Sequence, residues 1–186
     1  LNDWMYNNFK IDKNFGFKII SEETDAITNE KYYRCIQTYN DIPVFDATFV
    51  VHISNGRITT INGTLYKEIN TVNELNINER EALNYAMKST GAKSFMWQSQ
   101  YEELALKEDS ENPDATYFPK AELFYLKSEK NNEIYHLAWR FNIYASDTLL
   151  HEWIFVNATT GEILLKLSRI DNTDTPGVAV TKYSGS

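Results

Sequence analysis

Between residues 134 and 144 every odd-numbered side chain is apolar (Tyr135, Leu137, Trp139, Phe141, Ile143), while His136, Arg140 and Asn142 fall between them. Successive side chains of a strand point to opposite faces, so this alternation predicts a half-buried strand. Residues 117–126 predict its partner across the polar turn 128–133. Residues 150–156 and 162–167 predict another pair, joined by Asn157-Ala158-Thr159-Thr160-Gly161. Upstream, 17–24 and 32–39 read as strands turned by Thr28-Asn29-Glu30. Runs 49–53 and 57–61 read as a tight hairpin, because Asn55-Gly56 supplies two residues that tolerate positive φ. The break after 32–39 is placed at Asp41-Ile42-Pro43, since Pro43 lacks an N–H and biases Ile42 toward an extended shape.

Helical spacing occurs in three places. Trp4, Met5, Phe9 and Ile11 form a one-sided stripe over 3–11, with Asp3 a candidate N-cap. Ile77-Asn78-Glu79-Arg80-Glu81-Ala82 is a helix start in which Asn78 caps the free N–H groups and Glu81 reaches back. Ile77, Ala82, Tyr85 and Ala86 supply its buried stripe, and Gly91 its stop. A further helix is expected around 99–107. Residues 67–76 are polar and without strong periodicity, which marks a module boundary, and 109–113 read as an exposed loop. The fold class is therefore α+β, with two modules at 1–70 and 76–168, each an antiparallel β-meander carrying a helix on one face. A third segment, 169–186, stands apart from both modules, and within it 171–176 are polar and turn-prone.

The totals narrow the possibilities. A chain of 186 residues fits one large domain or two small ones, and 42% hydrophobic content is ample for a packed core. A net charge of −8 argues against nucleic acid as a partner, which calls for clustered Lys and Arg. No apolar run approaches the length of a membrane span, so no membrane-spanning segment is expected. Leu1 is not followed by a basic and then an apolar segment, so any signal peptide is expected to be already gone. Cys35 is the single cysteine; it excludes an internal disulfide and a multi-Cys zinc site and reads as a small buried strand residue.

Candidate chemistry is sparse. His151-Glu152 opens like a zinc-peptidase signature, but the position of the second histidine is Phe155 and the stretch alternates as a strand. His52, His136 and His151 fall on three separate strands and read as solvated or hydrogen-bonded side chains. No Gly-x-Ser-x-Gly elbow and no Gly-rich phosphate loop occur. The pairs Glu22/Glu23, Glu102/Glu103 and Glu108/Asp109 sit in polar surroundings and read as solvated faces. Asn62-Gly63-Thr64 and Asn157-Ala158-Thr159 are formal glycosylation sequons, but both coincide with turns. Trp139 and Trp153 read as core anchors on adjacent strands. No catalytic residue and no metal ligand is assigned.

The words Gln37-Thr38-Tyr39-Asn40-Asp41-Ile42-Pro43-Val44-Phe45, Val51-His52, Asn55-Gly56 and Asn62-Gly63 fall in an order that resembles the FTP module (fungalysin/thermolysin propeptide). Asp46 stands where that family usually has Gly. Downstream, residues 77–82 with Ala86, then Leu137-Ala138-Trp139, Trp153 and Val156 through Ile163, resemble a PepSY domain, which more often carries Asp at the place of Asn157. Its half of the fold is expected to be cystatin-like. Residues 177–185 resemble the first strand of a thermolysin-like catalytic domain.

The resemblance implies a non-catalytic, secreted pro-region with no cofactor of its own: zinc and calcium are expected in the partner, a cognate zinc metallopeptidase domain. It implies inhibition and assisted folding of that partner, then proteolytic removal. The processing linker is placed at Arg169, Asp171, Asn172, Thr173, Asp174, Thr175, Pro176 and Gly177. The module signature is Gln37, Tyr39, Pro43, Phe45, Asn55, Gly56, Gly63, Trp139, Trp153 and Gly161. Two further readings stay open: a free-standing PepSY-type binding module of the cell envelope, and an enzyme in its own right, for which nothing in the residues speaks. The reading frame beyond Ser186 separates the pro-region from the free-standing module.

Overall fold

The computed structural model describes residues 2–128 and 134–170. Its elements are α1 (Asn2–Phe9), β1 (Phe15–Thr24), β2 (Lys31–Tyr39), β3 (Ile42–Ser54), β4 (Arg57–Gly63), β5 (Asn70–Val72) and α2 (Glu79–Thr90). A 3₁₀ turn (Met96–Gln98), α3 (Gln100–Asp109), β6 (Glu122–Lys127), β7 (Ile134–Tyr144), β8 (His151–Asn157) and β9 (Ile163–Ser168) follow. The described strands form one sheet in the order β1-β2-β3-β6-β7-β8-β9, with β4 beside β3 and β5 beside β7. All pairings are antiparallel except β3 with β6 and β5 with β7. The architecture is α+β.

In the first half the turns are set by small polar side chains. Asp25 accepts the Ile27 and Thr28 N–H groups at 2.8 Å each, and Asn29 takes φ 57° to return the chain into β2. Asn55 and Gly56 take φ 52° and 73°, the pair of positive angles that a two-residue hairpin needs. The turn before β3 differs from expectation. It is made by Asn40 and Asp41 at φ 47° and 66°, and Pro43 lies within the strand opposite Thr38. Asn and Asp tolerate the left-handed region better than other side-chain-bearing residues, so they rather than Pro43 turn the chain.

Helix α1 covers this sheet through Met5, fully buried, and Tyr6, whose hydroxyl donates to the Phe15 carbonyl at 2.5 Å. Asp3 lies in the first turn rather than ahead of it. It therefore faces the positive end of the helix dipole and is not the cap.

In the second half α2 has the expected cap. Asn78 Oδ1 accepts the Glu81 N–H at 3.0 Å, Glu81 accepts the Asn78 N–H at 3.1 Å, and Gly91 closes the helix at φ 73°. Ala82 and Ala86 are fully buried and bring the helix close to Phe141, Ile143, Ile154 and Val156 of the sheet. Tyr85, expected in that stripe, is instead 43% exposed and lies over Gly161. Asn78→Ala is expected to lower stability by about 1 kcal/mol, read by urea unfolding.

Residues 67–76, read as a module boundary without strong periodicity, contain β5, which runs parallel to Ile134, Tyr135 and His136. Strand β6 begins at Glu122, so 117–121 stay outside the sheet. Helix α3 forms as expected, with Ser99 accepting the Glu102 N–H. The two meanders are hydrogen-bonded to each other where Val44 of β3 runs beside Tyr125 of β6. Apolar residues of both halves share one core, in which Phe15, Cys35, Val44 and Phe49 meet Tyr125, Tyr135 and Leu137.

Candidate functional site

The residues singled out in the first half build a seam rather than a pocket. Gln37 is wholly buried in β2, and its amide clamps the backbone of Tyr66: Nε2 donates to the carbonyl at 2.7 Å and Oε1 accepts the N–H at 2.8 Å. The chain leaving β4 is thereby fixed without a strand of its own. The Tyr66 hydroxyl donates to Asp46 Oδ2 at 2.7 Å, which gives Asp46 a partner that glycine could not supply. Tyr39 meets Phe15 and Tyr125 edge to face, with ring centroids 5.1 and 5.8 Å apart. Phe45 meets Phe155 and Phe124 in the same way at 4.7 and 6.1 Å. Both rings thus reach from the first meander into the second.

The residues of the second half hold the connecting segment. Trp139 Nε1 donates to the Ile77 carbonyl at 2.8 Å, and the Asn76 and Ile77 N–H groups both donate to the Ala158 carbonyl. Thr159 Oγ1 donates to the Glu74 carbonyl at 2.7 Å. Asn157 is buried and its Oδ1 accepts the Thr159 and Thr160 N–H groups, which commits this sequon side chain to the turn. Gly161 completes the turn at φ 77° beneath the Tyr85 ring.

Where β9 ends, the sheet grips the outgoing chain. The Arg169 N–H donates to the His151 carbonyl at 2.7 Å, and its guanidinium lies 4.2 Å from the centre of the Trp153 ring. Arg140 lies 4.5 Å from the same ring and 4.2 Å from Phe124, and is paired with Glu122. Such cation–ring contacts contribute about 0.5–1 kcal/mol each where exposed and more where desolvated. His151 stacks on Tyr144 with centroids 3.6 Å apart, and its Nε2 contacts Asn142 Oδ1 at 2.8 Å. Burial lowers the His151 pKa from its ordinary value, and the Arg169 charge lowers it further. A cleft of about 590 Å³ lies alongside, lined by Met96, Tyr144, Asp147, His151, Arg169 and Ile170.

Of the linker residues named from the sequence, Arg169 is described. Asp171, Asn172, Thr173, Asp174, Thr175, Pro176 and Gly177 lie outside the described residues, as does the strand-like run after them. Trp153 and Arg169, singled out separately, are brought together. Arg140, Glu122 and His151 were not foreseen in this cluster. Strand alternation places Arg140, Asn142 and Tyr144 on one face of β7, and pairing of Asn142 with Trp153 and Tyr144 with His151 extends that face onto β8.

His52, His136 and His151 stand on β3, β7 and β8. Among the described residues no group of three His, Cys, Asp or Glu side chains could hold a metal ion. Cys35 is fully buried, and burial pushes its thiol pKa up, away from the reactive thiolate. What the arrangement offers is a rigid sheet with a fixed departure point for the chain that follows.

Residues 15–65 match the fungalysin/thermolysin propeptide motif. Bacillolysin of Brevibacillus brevis is 25% identical over 190 residues, covering 95% of this chain and 33% of the relative. Bacillolysin of Bacillus cereus is 26% identical over 159 residues, covering 84% of this chain and 25% of the relative. That of Bacillus amyloliquefaciens is 25% identical over 177 residues, covering 93% and 31%. The chain thus spans a quarter to a third of the length of these relatives. Among solved structures, the Bacillus megaterium YpeB C-terminal domain superposes with a TM-score of 0.39 at 10% identity, covering 90% of this chain and 62% of that one. The motif and the bacillolysin relatives support a pro-domain of a thermolysin-like metallopeptidase, a region that is itself non-catalytic.

Proposed function

We propose that the chain inhibits a secreted thermolysin-like zinc metallopeptidase, assists its folding, and is removed by proteolysis in the stretch opening at Arg169. The reading rests on one observation: a propeptide motif over 15–65 in a chain that aligns over most of its length with bacillolysins. The division into an FTP-like module at 1–70 and a PepSY-like module at 76–168 belongs to the same proposal. Zinc and calcium sit in the peptidase domain, outside this chain.

The physical basis of both activities is binding to the folded partner. A preformed sheet that binds only the native peptidase stabilises it by mass action. A covalently linked segment blocks the cleft at high effective concentration, and cutting the link abolishes that advantage. The fixed exit at Arg169 suits this arrangement, because it defines where the docked region ends and the cuttable segment begins.

The test uses the purified 186-residue chain against the peptidase domain encoded in the same reading frame. The chain is expected to slow peptide hydrolysis, and truncation before Asp171 is expected to weaken inhibition. Full peptidase activity at micromolar concentrations of the intact chain overturns the reading.

A further inference from the structure

The end of β9 carries a second property, independent of any partner. Three contacts hold it: the Arg169 N–H on the His151 carbonyl, the Arg169 guanidinium over Trp153, and the His151 ring stacked on Tyr144 and bonded to Asn142. The groups facing His151 are Tyr144 and Asn142 from β7, Arg169 from the end of β9, and Asp147 across the cleft from the β7–β8 turn. Asp147 already accepts the Lys93 backbone N–H at 2.8 Å. Burial of the imidazole disfavours its protonated form first, and the Arg169 cation adds to that effect.

We propose that His151 and Arg169 form a pH-operated clasp on the chain leaving the sheet, closed when His151 is neutral and opened when it is protonated. Closed, the neutral ring lets Arg169 rest on Trp153 while the Arg169 N–H completes the β8–β9 ladder. Protonation places two cations on adjacent strand ends and weakens both holds on Arg169. Opening removes the repulsion and rehydrates the imidazole, so the open form binds the proton more tightly.

The sign follows from linkage. The histidine pKa is lowered in the closed form. Closure is fully favoured above the ordinary value of about 6.5, and is lost as pH falls through that value toward the lowered one. One proton changes the closed-to-open ratio by at most about tenfold per pH unit in that window. Within the pro-region reading, on which this consequence rests, acidification releases Arg169, the residue at which the proposed processing stretch opens.

The test is amide hydrogen exchange at Arg169 in the intact chain between about pH 7.5 and about pH 5, corrected for the intrinsic exchange rate. Protection at Arg169 is expected to fall several-fold on acidification in the native chain. It is expected to stay level in His151→Gln, which cannot be protonated, and to fall less in Arg169→Gln, which keeps the histidine and its burial but removes the opposing charge. Where His151→Gln does not fold, the exposed-end variant Arg169→Gln decides alone. Level protection in the native chain, or an equal fall in Arg169→Gln, overturns the clasp. The measurement needs no peptidase: a chain that opens in acid but is never cut after Ile170 keeps the clasp and loses the processing reading.

Discussion

Phe155→Ala is expected to lower the melting temperature of the entire chain, including the half in which Phe155 does not lie. The ring is fully buried in β8, 4.7 Å from Phe45 of β3 and 6.2 Å from Phe124 of β6. Removing a buried phenylalanine ring costs about 3–5 kcal/mol, the lost transfer energy plus the cavity left behind. For a chain of this length that corresponds to a shift of about 10 °C. Trp4 in α1 belongs to the first half, while Trp97, Trp139 and Trp153 belong to the second, so fluorescence of single-tryptophan variants can follow the halves separately. The shared core of Val44, Phe49, Tyr125 and Leu137 and the β3–β6 pairing predict coincident transitions that shift together. A Trp4 transition unmoved by Phe155→Ala would show instead that the meanders unfold independently.

The same seam explains what the sequence could and could not disclose. Alternation from Tyr135 to Ile143 located β7 and both its faces, and the Asn78–Glu81 pair located the start of α2, because those signals are local. The Asn55-Gly56 hairpin was legible for the same reason. Strand β5 was not: three residues carry no period, and its pairing partner lies more than sixty residues away. Tyr85 looked like a core residue by spacing, yet the positive φ of Gly161 leaves a bare backbone for its ring to cover, a requirement visible only across the turn.

The exit cluster was half legible. Arg140 stood on the polar face of β7 and Trp153 in an apolar run, and neither position announces that a guanidinium will lie over an indole. That contact depends on the register of β7 against β8, which sets Asn142 beside Trp153 and Tyr144 beside His151. Gln37 shows the same limit more sharply. A glutamine in a β-rich run reads as a polar-face residue, whereas it is wholly buried, because its amide replaces the ladder partner that the Tyr66 backbone lacks.

Gly63→Ala is expected to destabilise the chain by about 4 kcal/mol, combining a strained backbone with steric overlap. Gly63 ends β4 at φ 134°, a conformation that side-chain-bearing residues rarely adopt. A Cβ there would stand 2.4 Å from the Thr48 carbonyl oxygen and 2.6 Å from Phe49 Cα, both backbone atoms of the neighbouring strand. Neither can swing aside as a side chain would, so β3 and β4 must separate where Phe49 is buried. Gly56→Ala supplies the control: φ is also positive, at 73°, but nothing lies within 4 Å of the added carbon. Its cost is confined to the left-handed conformation, about 1–2 kcal/mol. Urea unfolding of the two variants side by side isolates the overlap as the difference between them. Equal losses would mean that close approach to β3 contributes nothing, and that positive φ alone keeps glycine at both positions.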